Sequence, residues 1–151
     1  MRSILELFEV KSVQLAQSND DAIVLLNKRH FDCVFVDNMS RKENGLELVK
    51  HVRHQKKDAL KEIPIILCTA FTGRKSITNA RDAGVTEILA KPVSPVQIME
   101  KMENAIFNKR NFVDIDVYAG PDRRRRASEY AAEEDRRHAG ELPSKENERG
   151  D

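Results

Sequence analysis

Three polar side chains each stand at the end of an apolar stretch rich in β-branched residues: the carboxylate of Asp37, the hydroxyl of Thr69 and the ammonium of Lys91. If these stretches are neighbouring strands of an open parallel sheet, their carboxyl ends share one edge, where ligand sites form. A carboxylate, a hydroxyl and an ammonium would then converge. Phosphoryl transfer depends on positioned charges more than on covalent chemistry, so this combination suits it. The sequence therefore predicts phosphoryl chemistry on Asp37.

Alternating strand and helix patterns supply the sheet that this convergence requires. Strands are predicted over 12–17, 32–37, 64–69 and 86–90. Helices are predicted over 2–9, from 18 onward, and over 46–57, 74–83 and 95–108. Elements that alternate in this way are joined by right-handed crossovers, so we expect an α/β protein with a parallel sheet.

Local signals mark several helix ends. Ser94 is followed by proline at the first helical position and by Gln97 at the third, which is a capping-box pattern. Ser18 is placed to cap a helix whose first turn carries two aspartates. Gly84 follows a polar helix and suits a left-handed cap.

Composition limits the class of protein. The 151 residues include 26 basic and 25 acidic side chains, a balance that does not indicate a nucleic-acid surface. The sequence has neither an apolar run of ~18 residues nor an export signal, so we expect a cytoplasmic protein without a membrane span. Cys33 and Cys68 lie inside predicted core strands and read as buried apolar groups rather than as a disulfide.

The pattern changes after residue 110. Residues 111–151 carry eight basic and eleven acidic side chains, and a segment around Phe112 and Tyr118 could form one short strand-like or docking element. Four arginines, 123–126, could contact phosphates, but the neighbouring acids favour a soluble tail, and nucleic-acid binding is not expected. We therefore predict a domain over 1–110 and a charged, mostly disordered tail over 111–151.

Five motifs, in this order and spacing, resemble the receiver domain of bacterial two-component response regulators. They are FDCVFVD ending at Asp37, GLEL from Gly45, PIILCTA from Pro64, ARDAG ending at Gly84, and Lys91 with the proline after it. The resemblance covers roughly residues 2–108. It implies a flavodoxin-like, doubly wound parallel sheet and a part in phosphorelay signalling.

The resemblance also implies residue roles. Asp37 would accept a phosphoryl group from a histidine kinase or a phosphotransfer protein, and Thr69 and Lys91 would contact the phosphoryl oxygens. Pro92 would follow a cis peptide bond, and the backbone carbonyl of Met39 would help Asp37 to hold Mg²⁺. The chain would act as a signalling domain rather than an enzyme, apart from its own phosphotransfer and dephosphorylation. Its output would be contact with a downstream protein, through the face of the segments 74–83, 86–90 and 95–108.

The sequence departs from the family at two places. Receivers begin with a strand that ends in an acidic pair for Mg²⁺, and Asp37 stands too near residue 1 for that strand. The pair Asp20 and Asp21 lies too close to Asp37 and fits a helix start. Without such a pair Mg²⁺ would lose most of its charge complement, so phosphotransfer should be weak or nil. In addition, Ile88 occupies the aromatic switch position and cannot supply a swinging aromatic ring.

Two explanations of the missing strand remain open at this point. Either the native start lies upstream of Met1, which would give an ordinary receiver, or the chain is a truncated pseudo-receiver that acts as a phosphorylation-independent interaction module. The lost strand would forfeit about 1.5–3 kcal/mol for each buried aliphatic residue. In the second case, therefore, strand 12–17 pairs directly with 32–37, a partner chain fills the gap, or the domain is barely folded.

Overall fold

The computed structural model describes residues 2–38 and 44–124. Its helices are α1 (Arg2–Leu7), α2 (Asn19–Lys28), α3 (Gly45–Arg53), α4 (Asp58–Lys61), α5 (Arg74–Asp82) and α6 (Pro95–Phe107). Its strands are β1 (Val34–Asp37), β2 (Ile65–Thr69), β3 (Glu87–Ala90), β4 (Phe112–Ile115) and β5 (Tyr118–Pro121). Among the described helices, none is both long enough and apolar enough to cross a membrane.

β1, β2 and β3 form a parallel sheet in that order, with helices on both faces. β2 is central, and all five of its residues are buried, which is why it reads as a continuous apolar run. Ile65 and Leu67 pack into one core cluster with α2, α3 and α5. Ile66 and Cys68 point to the other face, where they pack with α1 and α6. The predicted α/β fold with a parallel sheet is confirmed.

The capping signals are present in the structure. Gln97 N donates to Ser94 Oγ at 3.3 Å, and Ser94 N donates to Gln97 Oε1 at 3.0 Å, which completes the capping box of α6. Asp21 N donates to Ser18 Oγ at 3.1 Å at the start of α2. Gly84 has φ = +91°, in the region that favours glycine.

The strand predicted over 12–17 is wrong. These residues belong to no strand, and within the described residues β1 is paired with β2 alone. Val13 packs against the core cluster of α1 and α6, whereas Leu15 is 73% exposed. The alternation of Val13 and Leu15 suggested a strand, but only Val13 packs against the core, and the segment pairs with no described strand. Direct pairing of 12–17 with β1, which would have filled the predicted gap, does not occur.

A β-hairpin follows α6 where the sequence suggested at most one short strand. β4 and β5 pair antiparallel with Ile115 opposite Tyr118, so a two-residue turn joins them. All four residues of β5 are buried, and Tyr118 Oη donates to the carbonyl of Pro121 at 2.6 Å. The folded region therefore extends past the boundary predicted at residue 110. The part of the predicted tail over 125–151 lies outside the described residues.

Arg53, in the last turn of α3, is the largest charged group in the core and is only 1% exposed. Its guanidinium donates four hydrogen bonds to the segments that enter β2 and β3. The acceptors are the carbonyls of Gly84 (2.8 Å), Lys61 (2.6 Å) and Ile63 (2.8 Å) and the hydroxyl of Thr86 (3.2 Å). Burial lowers the pKa of Arg53 to about 10, so the guanidinium remains charged at neutral pH.

Replacing Arg53 with methionine should destabilise the fold by about 3 kcal/mol, because two buried carbonyls and one partly buried carbonyl lose their donor while the apolar volume is largely retained. Arg53→Lys should destabilise the fold by less than Arg53→Met, because it keeps a charged donor, but one ammonium cannot reach all four acceptors. Urea unfolding followed by circular dichroism measures both. Arg74→Met, at an exposed site on α5, is the control and should change stability by less than about 0.5 kcal/mol. Equal effects at positions 53 and 74 would contradict the role given to Arg53.

Gly84→Ala should destabilise the fold by about 1–3 kcal/mol. An added Cβ would lie 2.5 Å from the Ala119 carbonyl of the hairpin, in addition to the positive φ. Gly73→Ala is the matched control, because Gly73 has φ = −61° and nothing lies within 4 Å of an added Cβ. Gly73 is the N-cap of α5, where glycine is preferred to alanine, but alanine also restricts the unfolded chain, so the two effects oppose each other and the same experiment should show a loss of less than about 1 kcal/mol there. A Gly84→Ala protein as stable as the native chain would show that the hairpin does not pack on this turn.

Candidate functional site

The carboxyl ends of β1, β2 and β3 bring the three predicted residues to one edge of the sheet. Asp37 lies opposite Cys68 of β2, and Thr69 lies opposite Ala90 of β3. The backbone N–H of Lys91 donates to the Thr69 carbonyl at 2.8 Å, which extends the β2–β3 ladder and fixes where Lys91 leaves the sheet. Parallel pairing with this register therefore places the carboxylate, the hydroxyl and the ammonium around the end of the central strand.

Asp37 and Lys91 form an ion pair across this edge. Lys91 Nζ donates to Asp37 Oδ2 at 2.6 Å. The Lys91 side chain is 29% exposed and the Asp37 side chain is 59% exposed. Such an exposed pair contributes at most about 1 kcal/mol to stability. Its importance is geometric, because a cation lies against a carboxylate whose side chain is more than half exposed.

The hydroxyl of Thr69 lies just below the surface at this edge. Thr69 is 3% exposed, and its Oγ1 accepts a hydrogen bond from the backbone N–H of Phe71 at 3.0 Å. Sequence reasoning did not anticipate this bond, because it depends on how the loop after β2 turns. A hydroxyl has two acceptor lone pairs and one proton, so Thr69 Oγ1 can hold Phe71 N and still donate to a ligand.

The other predicted site residues have different surroundings. The peptide bond between Lys91 and Pro92 is cis. Ile88 is half-buried and packs against the core cluster between the sheet and α3, so it is part of the core rather than of the exposed edge. Met39, proposed to offer a backbone carbonyl to a metal, lies outside the described residues.

The described side chains do not fit a Mg²⁺ site. Mg²⁺ is held by several oxygen ligands in near-octahedral geometry, usually including carboxylates. Over residues 2–38 and 44–124 no group of three His, Cys, Asp or Glu side chains is placed to hold a metal ion. Asp20 and Asp21 lie in the first turn of α2, where Ser18 caps the helix, and Oδ2 of Asp37 is engaged by Lys91.

Known proteins similar to this chain fall in one family. The family model described as response regulator receiver domain matches residues 1–103. A chemotaxis protein CheY homolog of Campylobacter jejuni is 36% identical over 92 residues, which is 60% of this chain and 69% of that protein. The structure of the chemotaxis protein CheY4 of Vibrio cholerae is similar with a TM-score of 0.62 and 25% identity, covering 68% of this chain and 83% of the other.

A second similar structure comes from a protein crystallised with a metal. The receiver domain of a sensor histidine kinase of Pseudomonas aeruginosa, which has a magnesium ion coordinated in its active-site cleft, gives a TM-score of 0.61 at 21% identity. The match covers 70% of this chain and 84% of that one. At this identity the likeness concerns the fold.

Cys68 lies beside Asp37 in the sheet, and Cys33 precedes the first residue of β1. Burial, together with the nearby negative charge of Asp37, raises the pKa of the Cys68 thiol to about 11. Burial also raises the pKa of the Cys33 thiol to about 12. Both side chains are therefore protonated, apolar groups at neutral pH, as the sequence suggested.

Thiol reactivity should report this environment. Because its pKa rises from 9.0 to about 11, Cys68 should react with a thiol reagent about a hundredfold more slowly in the folded chain than in urea at mildly alkaline pH. Folding favours the protonated thiols, so their contribution to stability is complete below pH 9.0 and is lost as the pH rises toward about 11. Unfolding measured across this range should therefore show a falling free energy of unfolding. Rapid reaction of both thiols in the native chain would contradict the burial described here.

Proposed function

The chain belongs to the response regulator receiver family, and we propose that it accepts a phosphoryl group on Asp37. The donor is a histidine kinase or a phosphotransfer protein, the location is the cytoplasm, and the output is contact with a downstream protein. The observation that carries this proposal is the exposed Asp37 carboxylate, 2.6 Å from the Lys91 ammonium, at the edge where all three parallel strands end.

The proposed transfer moves one phosphoryl group between two side chains. A carboxylate oxygen of Asp37 attacks phosphorus, an O–P bond forms, and the N–P bond of the donor's phosphohistidine breaks. The ring nitrogen of the donor leaves with the electron pair and takes up a proton from solvent. The ammonium of Lys91 then lies against the transferred oxygens, and Thr69 Oγ1 donates its proton to one of them while it still accepts from Phe71 N.

The charge balance of this site predicts weak phosphorylation. An aspartyl phosphate brings further negative charge to the edge, and one ammonium offsets part of it. Because no described cluster of carboxylates is present to recruit a divalent cation, we expect only slow transfer from a small phosphodonor.

The proposed output surface is the face of α5, β3 and α6. Ile77 of α5 and Val96 of α6 are exposed apolar residues there, which supports contact with a protein. Ile88 of β3 packs into the core, so a signal from Thr69 cannot pass through a swinging aromatic ring at this position. We infer that any response to phosphorylation involves the loop after Thr69, through the bond to Phe71.

Phosphorylation can be measured by intact mass after incubation with the cognate donor or a small phosphodonor. Asp37→Asn should gain no phosphate, and Lys91→Met should be phosphorylated about a hundredfold more slowly, because it removes the ammonium that contacts the Asp37 carboxylate. Asp32→Asn is the matched control: it changes an exposed aspartate just before the same strand and should behave like the native chain. Phosphate on the Asp37→Asn protein would sink the proposal.

A second candidate is a phosphorylation-independent interaction module. It is favoured by the same ion pair, because Lys91 satisfies the carboxylate of Asp37 without a metal or a phosphate. This candidate predicts equal binding of a partner by the native chain and by Asp37→Asn, with and without Mg²⁺ and acetyl phosphate. Binding that changes only when Asp37 is phosphorylated would exclude it.

A further inference from the structure

A groove of about 140 Å³ lies at the amino-terminal edge of the sheet, opposite the edge that carries Asp37. Its wall comes from the end of α2, the residues that lead into β1, and α4 with the residues that lead into β2. The floor is apolar and includes Leu26, Phe31, Leu60 and Ile63. No sequence motif marked this place, because its walls come from segments that are far apart along the chain.

The rim of this groove is basic. Lys28, Arg29, His30 and Lys57 line it, and no carboxylate does. Over the described residues the two lysines and Arg29 take part in no ion pair. A basic last turn on α2 is ordinary, since it complements the helix dipole. The dipole does not account for Lys57, which comes from a different segment, or for the apolar floor between the two sets of charges.

The C-terminal hairpin packs against the short helix that forms one wall of this groove, and the chain leaves the hairpin at Arg123, which binds Asp82 at the end of α5 at 3.2 Å. Lys61 of α4 binds Asp114 of β4 at 2.7 Å, while its neighbours Ala59 and Leu60 line the groove. The carbonyl of Ile63, another lining residue, is held by Arg53 beneath the hairpin. One short helix therefore separates the hairpin from the groove.

The chain that follows the hairpin has the complementary chemistry. Residues 127–151 contain eight acidic and four basic side chains, and Tyr130 lies among Glu129, Glu133, Glu134 and Asp135. We propose that the groove binds residues 129–135 of the same chain, with the Tyr130 ring on the apolar floor and the carboxylates on the basic rim. These residues lie outside the described part of the structure, and the proposal rests on the groove, its charge and the position of the hairpin.

The length of the connection permits this docking. Six residues from Arg124 to Tyr130 span at most ~20 Å. The entrance to β3, where the hairpin packs, and the entrance to β1, where the groove opens, are two strand spacings apart, or ~10 Å. A short tether also gives a millimolar effective concentration, so a few screened ion pairs and one aromatic contact are enough for occupancy.

The test uses the full chain and two matched variants in which three acids are replaced by serine. The first carries Glu133→Ser, Glu134→Ser and Asp135→Ser, and the control carries Glu146→Ser, Glu148→Ser and Asp151→Ser. Amide NMR spectra should show shifts at Lys28, Arg29, Phe31 and Leu60 in the first variant and native positions in the control. High salt should produce the same shifts in the native chain, because the Debye length falls to ~3 Å at 1 M. Tyr130→Ala should also shift the amide signals of the residues that form the apolar floor of the groove.

Three outcomes would overturn the proposal. Groove amides that respond neither to the first variant nor to salt would mean that the groove does not bind this segment. Equal responses to both variants would mean that general charge, and not residues 129–135, is sensed. If tenfold dilution of the native chain moved its groove amide signals to the positions seen in the first variant, the tail of a second copy would be the segment that binds. None of these readouts depends on phosphorylation of Asp37, so the result stands apart from the proposed function.

Discussion

One buried cation connects the segments that lead into β2 and β3. Arg53 donates to carbonyls on the two segments that lead into β2 and β3, and it does so from the last turn of α3. A buried charge is costly unless it is fully hydrogen-bonded, and here the oxygens of the backbone and of Thr86 supply that compensation. Thr86 in turn accepts from Ile65 N at 3.0 Å, so the same cluster connects β2 to β3. The positions of Thr69 and Lys91, at the other ends of these strands, depend on how β2 pairs with β3.

The candidate site differs from a rigid catalytic site in how its groups are held. Thr69 is fixed by the core and by its bond to Phe71, whereas Asp37 and Lys91 form an ion pair between partly exposed side chains. A phosphoryl group on Asp37 would be stabilised by Lys91 and by the buried hydroxyl of Thr69. In the proposed reaction the carboxylate is accessible, and the charge around it decides how well the added phosphoryl group is stabilised.

The sequence predicted most of what depends on local rules. β2 and the capped helix α6 were recognisable because a continuous apolar run and a capping box each have one common structural meaning. The hairpin was less visible because its turn, Asp116 and Val117, lacks the glycine that usually marks a two-residue turn. The segment 12–17 misled because alternation shows which side chains are buried and does not show whether a partner strand is present.

Arg53 shows most clearly why the rest could not be predicted. It lies eight residues after Gly45 and four after Val49, on the buried stripe of α3, so its position did carry a signal. An arginine in the last turn of a helix is nevertheless ordinarily a surface residue that complements the helix dipole. What makes it buried is a set of carbonyl acceptors 8 to 31 positions away along the chain, which only the folded topology brings together. The same topology separates the two edges of the sheet: chemistry is possible where the strands end, and the hairpin of β4 and β5 packs where they begin, away from Asp37.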